Sequence, residues 1–181
     1  MDKLFEKQLD STNVFKGKLL DVYSDSILLP NGNTSKREYI KHNGAACVVP
    51  VDKDNNVIVT EQFRYPFGKV LTEIPAGKLD SKDEPHLDAA LRELKEETGY
   101  TSENVIYLGE FYGACAYTNE IIHMYLATDL KEGEQKLDAD EFLNVKKVPL
   151  EKLVEEIMQG NIPDGKTQTA ILKAYMFLNK K

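Results

Sequence analysis

LRELKEETGY, residues 91–100, sets three glutamates, an arginine and a lysine in front of a glycine. Leu87, Ala90, Leu91 and Leu94 recur at i, i+3, i+4 and i+7, the spacing of one helix face. Pro85 suits the first turn of that helix and Gly99 its C-terminal cap. With Leu87, Leu91 and Leu94 toward the core, Glu93 and Glu97 share another side, with Glu96 next to them.

Two readings of that acidic side compete. In the first, Arg92 and Lys95 neutralise the glutamates as ordinary surface pairs, worth only ~0.3–0.5 kcal/mol each. In the second, the acids hold a cation, since like charges four residues apart repel unless something positive lies between them. The preceding EIPAGKLD (73–80) reads as a strand running into a glycine loop. Such a loop can bring backbone carbonyls beside the carboxylates, and hard divalent ions take that mixture of oxygens.

Around this helix the 181 residues suit one principal domain with a small appendage. Hydrophobic residues at 41% and charged residues at 29% describe a globular chain. A net charge of −7 and a pI near 5.1 exclude a surface that coats a polyanion, so no nucleic-acid partner is expected. No run approaches the ~20 apolar residues of a membrane span, and the N-terminus has no export signal, so no membrane partner is expected. Cys47 and Cys115 are far apart, which suits reduced thiols and a cytoplasmic location.

Residues 14–40 read as short strands with a hairpin at Asn31-Gly32. GAACVVPVD (44–52) and NVIVTEQFRY (56–65) are apolar, β-branched strands. NVIYLGEFYG, EIIHMYLATD and EFLNVKKVP follow as strands, and helices are expected near 150–159 and 167–179. The charged LKEGEQKLDADE (130–141) reads as a mobile loop. Strands, helix, strands and helices in this order suggest a mixed sheet with helices packed on it. His42, His86 and His123 lack metal-ligand spacing and receive no chemical role.

The arrangement Gly77, an acid at Asp83 or Glu84, then Arg92-Glu93-Leu94-Lys95-Glu96-Glu97-Thr98-Gly99-Tyr100 resembles the Nudix box. Its spacer after the glycine, Lys78 to Asp83, is one residue longer than usual. REYIKHNGAACVVPV, EQFRYP, EIPAGKL and IPDGKTQTAIL extend the resemblance to the ADP-ribose pyrophosphatase branch of the family. In the loop GACAYTNE, Ala114, Cys115 and Ala116 stand where that branch commonly has Ser-Pro-Gly.

The resemblance implies an α+β fold: a Nudix α/β/α sandwich with a mixed sheet over 43–181, preceded by an N-terminal β-unit at 1–42 that serves dimerisation and substrate. It implies Mg²⁺, with Mn²⁺ as a substitute, held by Glu93, Glu97, Glu96, Glu141 and the carbonyl of Ala76. Arg92 would orient the glutamates, and Glu141, Asp138 or Asp140 would supply the base. Arg64, Glu73, Arg37 and Glu120 are the candidates for substrate contact. The implied reaction is hydrolysis of a nucleoside diphosphate sugar, with ADP-ribose giving AMP and ribose 5-phosphate. ADP-glucose and GDP-mannose are rival substrates, and a non-catalytic nucleotide-sugar sensor is the rival class. A homodimer is also implied.

Overall fold

The computed structural model describes residues 3–137, 139 and 141–180. They fall into two units. The first runs to Asn43 and includes Ala114–Glu120; the second comprises Gly44–Gly113 with Ile121 onward.

In the first unit, β1 (Lys7–Lys16), β2 (Asp21–Leu28) and β3 (Thr34–Ile40) form an antiparallel sheet in that order. The β2–β3 turn contains the Asn31-Gly32 pair, with Gly32 N donating to Leu29 O at 2.9 Å. Tyr23 and Tyr39 are register partners whose rings stack with centroids 5.8 Å apart, a cross-strand contact that fixes pairing. Ala114–Glu120 is tied in through Ile40, whose N donates to Tyr117 O and whose O accepts from Asn119 N.

The second unit contains two sheets. β5 (Asn56–Arg64) lies between β6 (Lys69–Glu73) and β10 (Leu143–Pro149), all antiparallel. The other sheet has the order β7 (Ala76–Lys78), β4 (Ala45–Pro50), β9 (Ile122–Thr128), β8 (Asn104–Phe111), and is mixed because β4 and β9 run parallel. Its two central strands are buried on both faces. Cys47 and Val49 of β4, with Met124 and Leu126 of β9, join a core with α2 (Leu150–Met158) and α3 (Gly165–Leu178). Ala46 and Val48, with Tyr125 and Ala127, join a second core with α1 (His86–Thr98). This is why AACVVP is apolar throughout rather than alternating. Each fully buried Val, Leu or Ile contributes about 1.5–3 kcal/mol, so the two cores hold the α/β/α layers together.

The expected face of α1 is displaced toward its C-terminal end. Leu87 is 39% exposed and Leu91 half-buried, while Ala89, Ala90, Leu94, Glu97 and Thr98 are buried. The first turn reaches past the apolar contact with the sheet, and the last turn lies under cover, which carries Glu97 inside. Gly99 ends the helix with φ 78°, its N donating to Lys95 O at 2.9 Å.

Lys131–Lys136 is also not the mobile loop expected from its charge. Thr101 and Lys131 exchange backbone hydrogen bonds, Lys136 N donates to Glu96 O at 3.0 Å, and Gln135 Nε2 donates to Glu97 O at 2.5 Å. The segment is held because the last carbonyls of α1 have no partners within the helix.

Candidate active site

Glu93 lies against the loop strand β7. A Cβ added at Gly77 would coincide with the Glu93 carboxylate, so only glycine leaves room for the acid there. Arg92 gathers three acids: its Nη1 donates to Glu93 Oε1 at 2.6 Å and Glu96 Oε2 at 3.2 Å, and its Nε to Glu84 Oε1 at 3.3 Å. Its Nη2 reaches Lys78 O at 3.3 Å. Burial opposes the Arg92 charge, but these carboxylates outweigh it and raise its pKa. Glu84 also accepts from Asp80 N at 2.6 Å, closing the loop before α1, whereas Asp83 is exposed. Of the two acids open in the sequence, Glu84 is the one that reaches the arginine.

Glu97 is 5% exposed and accepts from Ala76 N at 3.3 Å. Burial, then the charges of Glu93 and Glu141, push its pKa up to about 8, against the pull of Ala76 N and Lys166. Burial also raises Glu93, and here Arg92 pulls back while Glu96 and Glu141 add to the rise. The half-buried Glu141, just ahead of β10, thus acts electrostatically on both acids. Asp138 and Asp140, the other candidate bases, lie outside the described residues.

Three carboxylates, Glu84, Glu93 and Glu96, therefore share the single guanidinium of Arg92 and exceed its charge, and Glu97 lies within electrostatic reach of Glu93. Among the described residues no three His, Cys, Asp or Glu side chains converge as a ready metal cage. Glu93 and Glu96 are turned onto Arg92 instead. The donor set nevertheless fits a hard divalent cation: it is all oxygen, it carries excess negative charge, and among the described residues its buried member Glu97 has no cation in hydrogen-bond contact.

Beside these acids lies a second group with balanced charge. Arg64, at the end of β5, donates from Nε to Glu73 Oε1 at 2.6 Å and from Nη2 to Glu73 Oε2 at 2.8 Å. Lys166 donates to the same Glu73 Oε2 and, at 2.9 Å, to Asp164 Oδ2. Asp164 caps α3 by accepting from Thr167 N at 3.0 Å, and Thr167 Oγ1 accepts from Ile74 N at 3.1 Å. Burial alone would raise Glu73, but Arg64 and Lys166 hold it below the ordinary carboxylate range. Reading the sequence for charge patterns missed Lys166 and Asp164. Their signal is the N-cap pattern Asp164…Thr167 opening an apolar helix.

Arg37 and Glu120 belong to the first unit. Arg37 pairs with Glu6, donating from Nε to Oε2 at 2.9 Å. Glu120 lies 3.4 Å from His42 Nδ1. His86 and His123, given no role from sequence, stack with centroids 3.9 Å apart, and His86 Nδ1 pairs with Tyr125 Oη, joining the start of α1 to β9.

These features coincide with a family. The chain belongs to the Nudix family: a model described as the NUDIX domain matches residues 41–167, and one described as the nucleoside diphosphate sugar hydrolase N-terminal domain matches residues 6–40. It is 42% identical over 173 residues to an ADP-ribose pyrophosphatase of Bacillus subtilis (strain 168), covering 94% of this chain and 93% of that protein. It is 40% identical over 174 residues to a methanol dehydrogenase activator of Bacillus methanolicus, covering 94% of each. A solved structure described as an ADP compounds hydrolase superimposes with a TM-score of 0.83 over 96% of this chain and 94% of that one, at 21% identity. That likeness bears out the expected mixed-sheet Nudix fold.

Proposed function

We propose that this chain hydrolyses the diphosphate bond of a nucleoside diphosphate sugar, with ADP-ribose as first substrate and AMP and ribose 5-phosphate as products. The observation that carries the reading is the unbalanced charge around Glu97: a buried carboxylate beside other acids, next to a glycine that makes room for Glu93. The similarity to an ADP-ribose pyrophosphatase over nearly the whole chain supports the choice of substrate.

Mg²⁺, with Mn²⁺ as a substitute, is the cation proposed for Glu93, Glu97 and Glu96, with the Ala76 carbonyl and Glu141. When bound, it supplies positive charge against phosphate oxygens and activates water. The rest is done by the chain. Arg92 restrains Glu93 and Glu96 by pairing with one oxygen of each, so their carboxylates are held before substrate arrives. Glu141 is the proposed base, accepting the proton of the attacking water; its charge already reaches Glu93 and Glu97. Arg64, fixed on Glu73, offers phosphate a guanidinium. Glu73 is then an anchor for Arg64, and Arg37 and Glu120 are proposed to contact the remainder of the substrate.

We also infer a homodimer in the cytoplasm. β1 is exposed along its whole length, and Leu9, Val14 and Phe15 on it are each more than half exposed, an apolar edge that suits a second copy. Both cysteines are free, which suits a reducing compartment.

The test is a panel of ADP-ribose, ADP-glucose, GDP-mannose, NADH and diadenosine polyphosphates with Mg²⁺, read by chromatography of products. Turnover of ADP-ribose to AMP and ribose 5-phosphate, ahead of the others, is expected. Faster cleavage of another sugar nucleotide would reassign the substrate, and cleavage of none would leave a sensor. The same preparation should run at twice the chain mass on a sizing column.

A further inference from the structure

Lys166 is used by nothing above, yet it is placed with care. Its side chain is 12% exposed, on the first turn of α3, and its ammonium lies between the carboxylates of Glu73 and Asp164. Burial works against that charge, and Asp164 and Glu73 outweigh it. Glu73 itself is buried and receives Lys166 on one side and Arg64 on the other. Charge therefore alternates along Asp164, Lys166, Glu73 and Arg64, from the cap of α3 to a guanidinium whose side chain is 39% exposed.

The end of this series matters for a phosphate ligand. Arg64 gives its Nε and one Nη2 hydrogen to Glu73, and among the described residues its Nη1 makes no hydrogen bond. The edge formed by Nη1 and Nη2 is left for a bidentate acceptor. If Glu73 had only Arg64 as a partner, the two charges would cancel and that edge would offer little to an anion.

We propose that Lys166 is a positioning residue for the diphosphate: it neutralises the buried Glu73 carboxylate from within, so the outer edge of Arg64 keeps its positive charge for a substrate phosphate. Glu73 then serves as a rigid mount for Arg64 rather than as its counter-ion. The proposal rests on the hydrolase reading and adds to it the residue that makes Arg64 available. Lys166 is itself shared between Glu73 and Asp164, and Glu73 is shared between Lys166 and Arg64, so the Glu73 charge is not spent on Arg64 alone.

The experiment compares wild type, Lys166→Met and the double variant Glu73→Gln/Lys166→Met on ADP-ribose with Mg²⁺. Lys166→Met should raise KM about tenfold, the loss of one charge-assisted phosphate contact, with a smaller change in kcat. The double variant removes both charges and should recover most of the KM, because Arg64 then has no carboxylate charge opposing it. A merely structural lysine predicts the reverse: the double variant no better than the single one, or a fall in kcat alone, and either result overturns the proposal. Calorimetric binding of inorganic pyrophosphate with Mg²⁺ repeats the comparison without turnover. Wild type that cleaves no sugar nucleotide would sink the hydrolase reading, whereas equal pyrophosphate affinity in wild type and Lys166→Met would sink this one.

Discussion

Glu97 and Glu73 are both buried carboxylates of the second unit, 5% and 3% exposed, yet their surroundings drive them in opposite directions. Burial and the acids Glu93 and Glu141 push Glu97 up to about 8. Glu73 feels the same burial, but Arg64 and Lys166 reverse it and hold the group ionised. A buried acid with its own cations is a finished piece of structure. One whose neighbours are other acids is incomplete, and its arrangement makes sense with a cation added. The comparison separates a group that builds the site from one that works in it, although both are glutamates of similar burial.

Substitutions at the two positions should therefore fail in different assays. Glu97→Gln should have the largest effect on rate, lowering kcat/KM about a thousandfold, as expected for removal of ~4 kcal/mol of transition-state stabilisation by a metal ligand. The metal-free variant should melt no lower than wild type, because the substitution removes a carboxyl whose ionisation burial and the neighbouring acids oppose. Activity equal to wild type at saturating Mg²⁺ would show that Glu97 holds nothing.

Gly77→Ala comes next. The added methyl must displace the Glu93 carboxylate, and a shift of about 1 Å at a positioned group lowers kcat by about a hundredfold. Retention of full activity would mean that Glu93 works from some other place.

Glu73→Gln should show the smallest effect on catalysis and the clearest one on stability, a loss of about 2 kcal/mol by urea unfolding, since it leaves Lys166 buried with a weaker partner. Its pH dependence has a definite sign. The folded pKa of Glu73 is lowered, so its contribution is complete above the ordinary carboxylate range and is lost as pH falls through the depressed value. The variant should lack that part of the acid limb. An unchanged acid limb would mean that Glu73 is not the held carboxylate described here.

Much of this was legible along the chain. The apolar run AACVVP marked a strand, Gly99 marked the end of α1, and the spacing from Gly77 to Glu97 marked the box. Periodicity also selected Leu87 for the core, and that assignment failed, while the burial of Glu97 is something the helical repeat did not indicate. A helical repeat defines a stripe, but the position of the sheet beneath the helix decides which end of the stripe is covered. The same limit applies to Lys131–Lys136, which is charged enough to read as a mobile loop and is held by carbonyls at the end of α1.

The sequence by itself determined most element types and the acids of the box, because these follow from local spacing and side-chain chemistry. Only the tertiary structure decided that Glu84 rather than Asp83 reaches Arg92, that Glu97 is buried, and that Lys166 meets Glu73 from 93 residues away. Burial and charge pairing arise from groups distant in the chain, and their energies depend on where the fold brings those groups together.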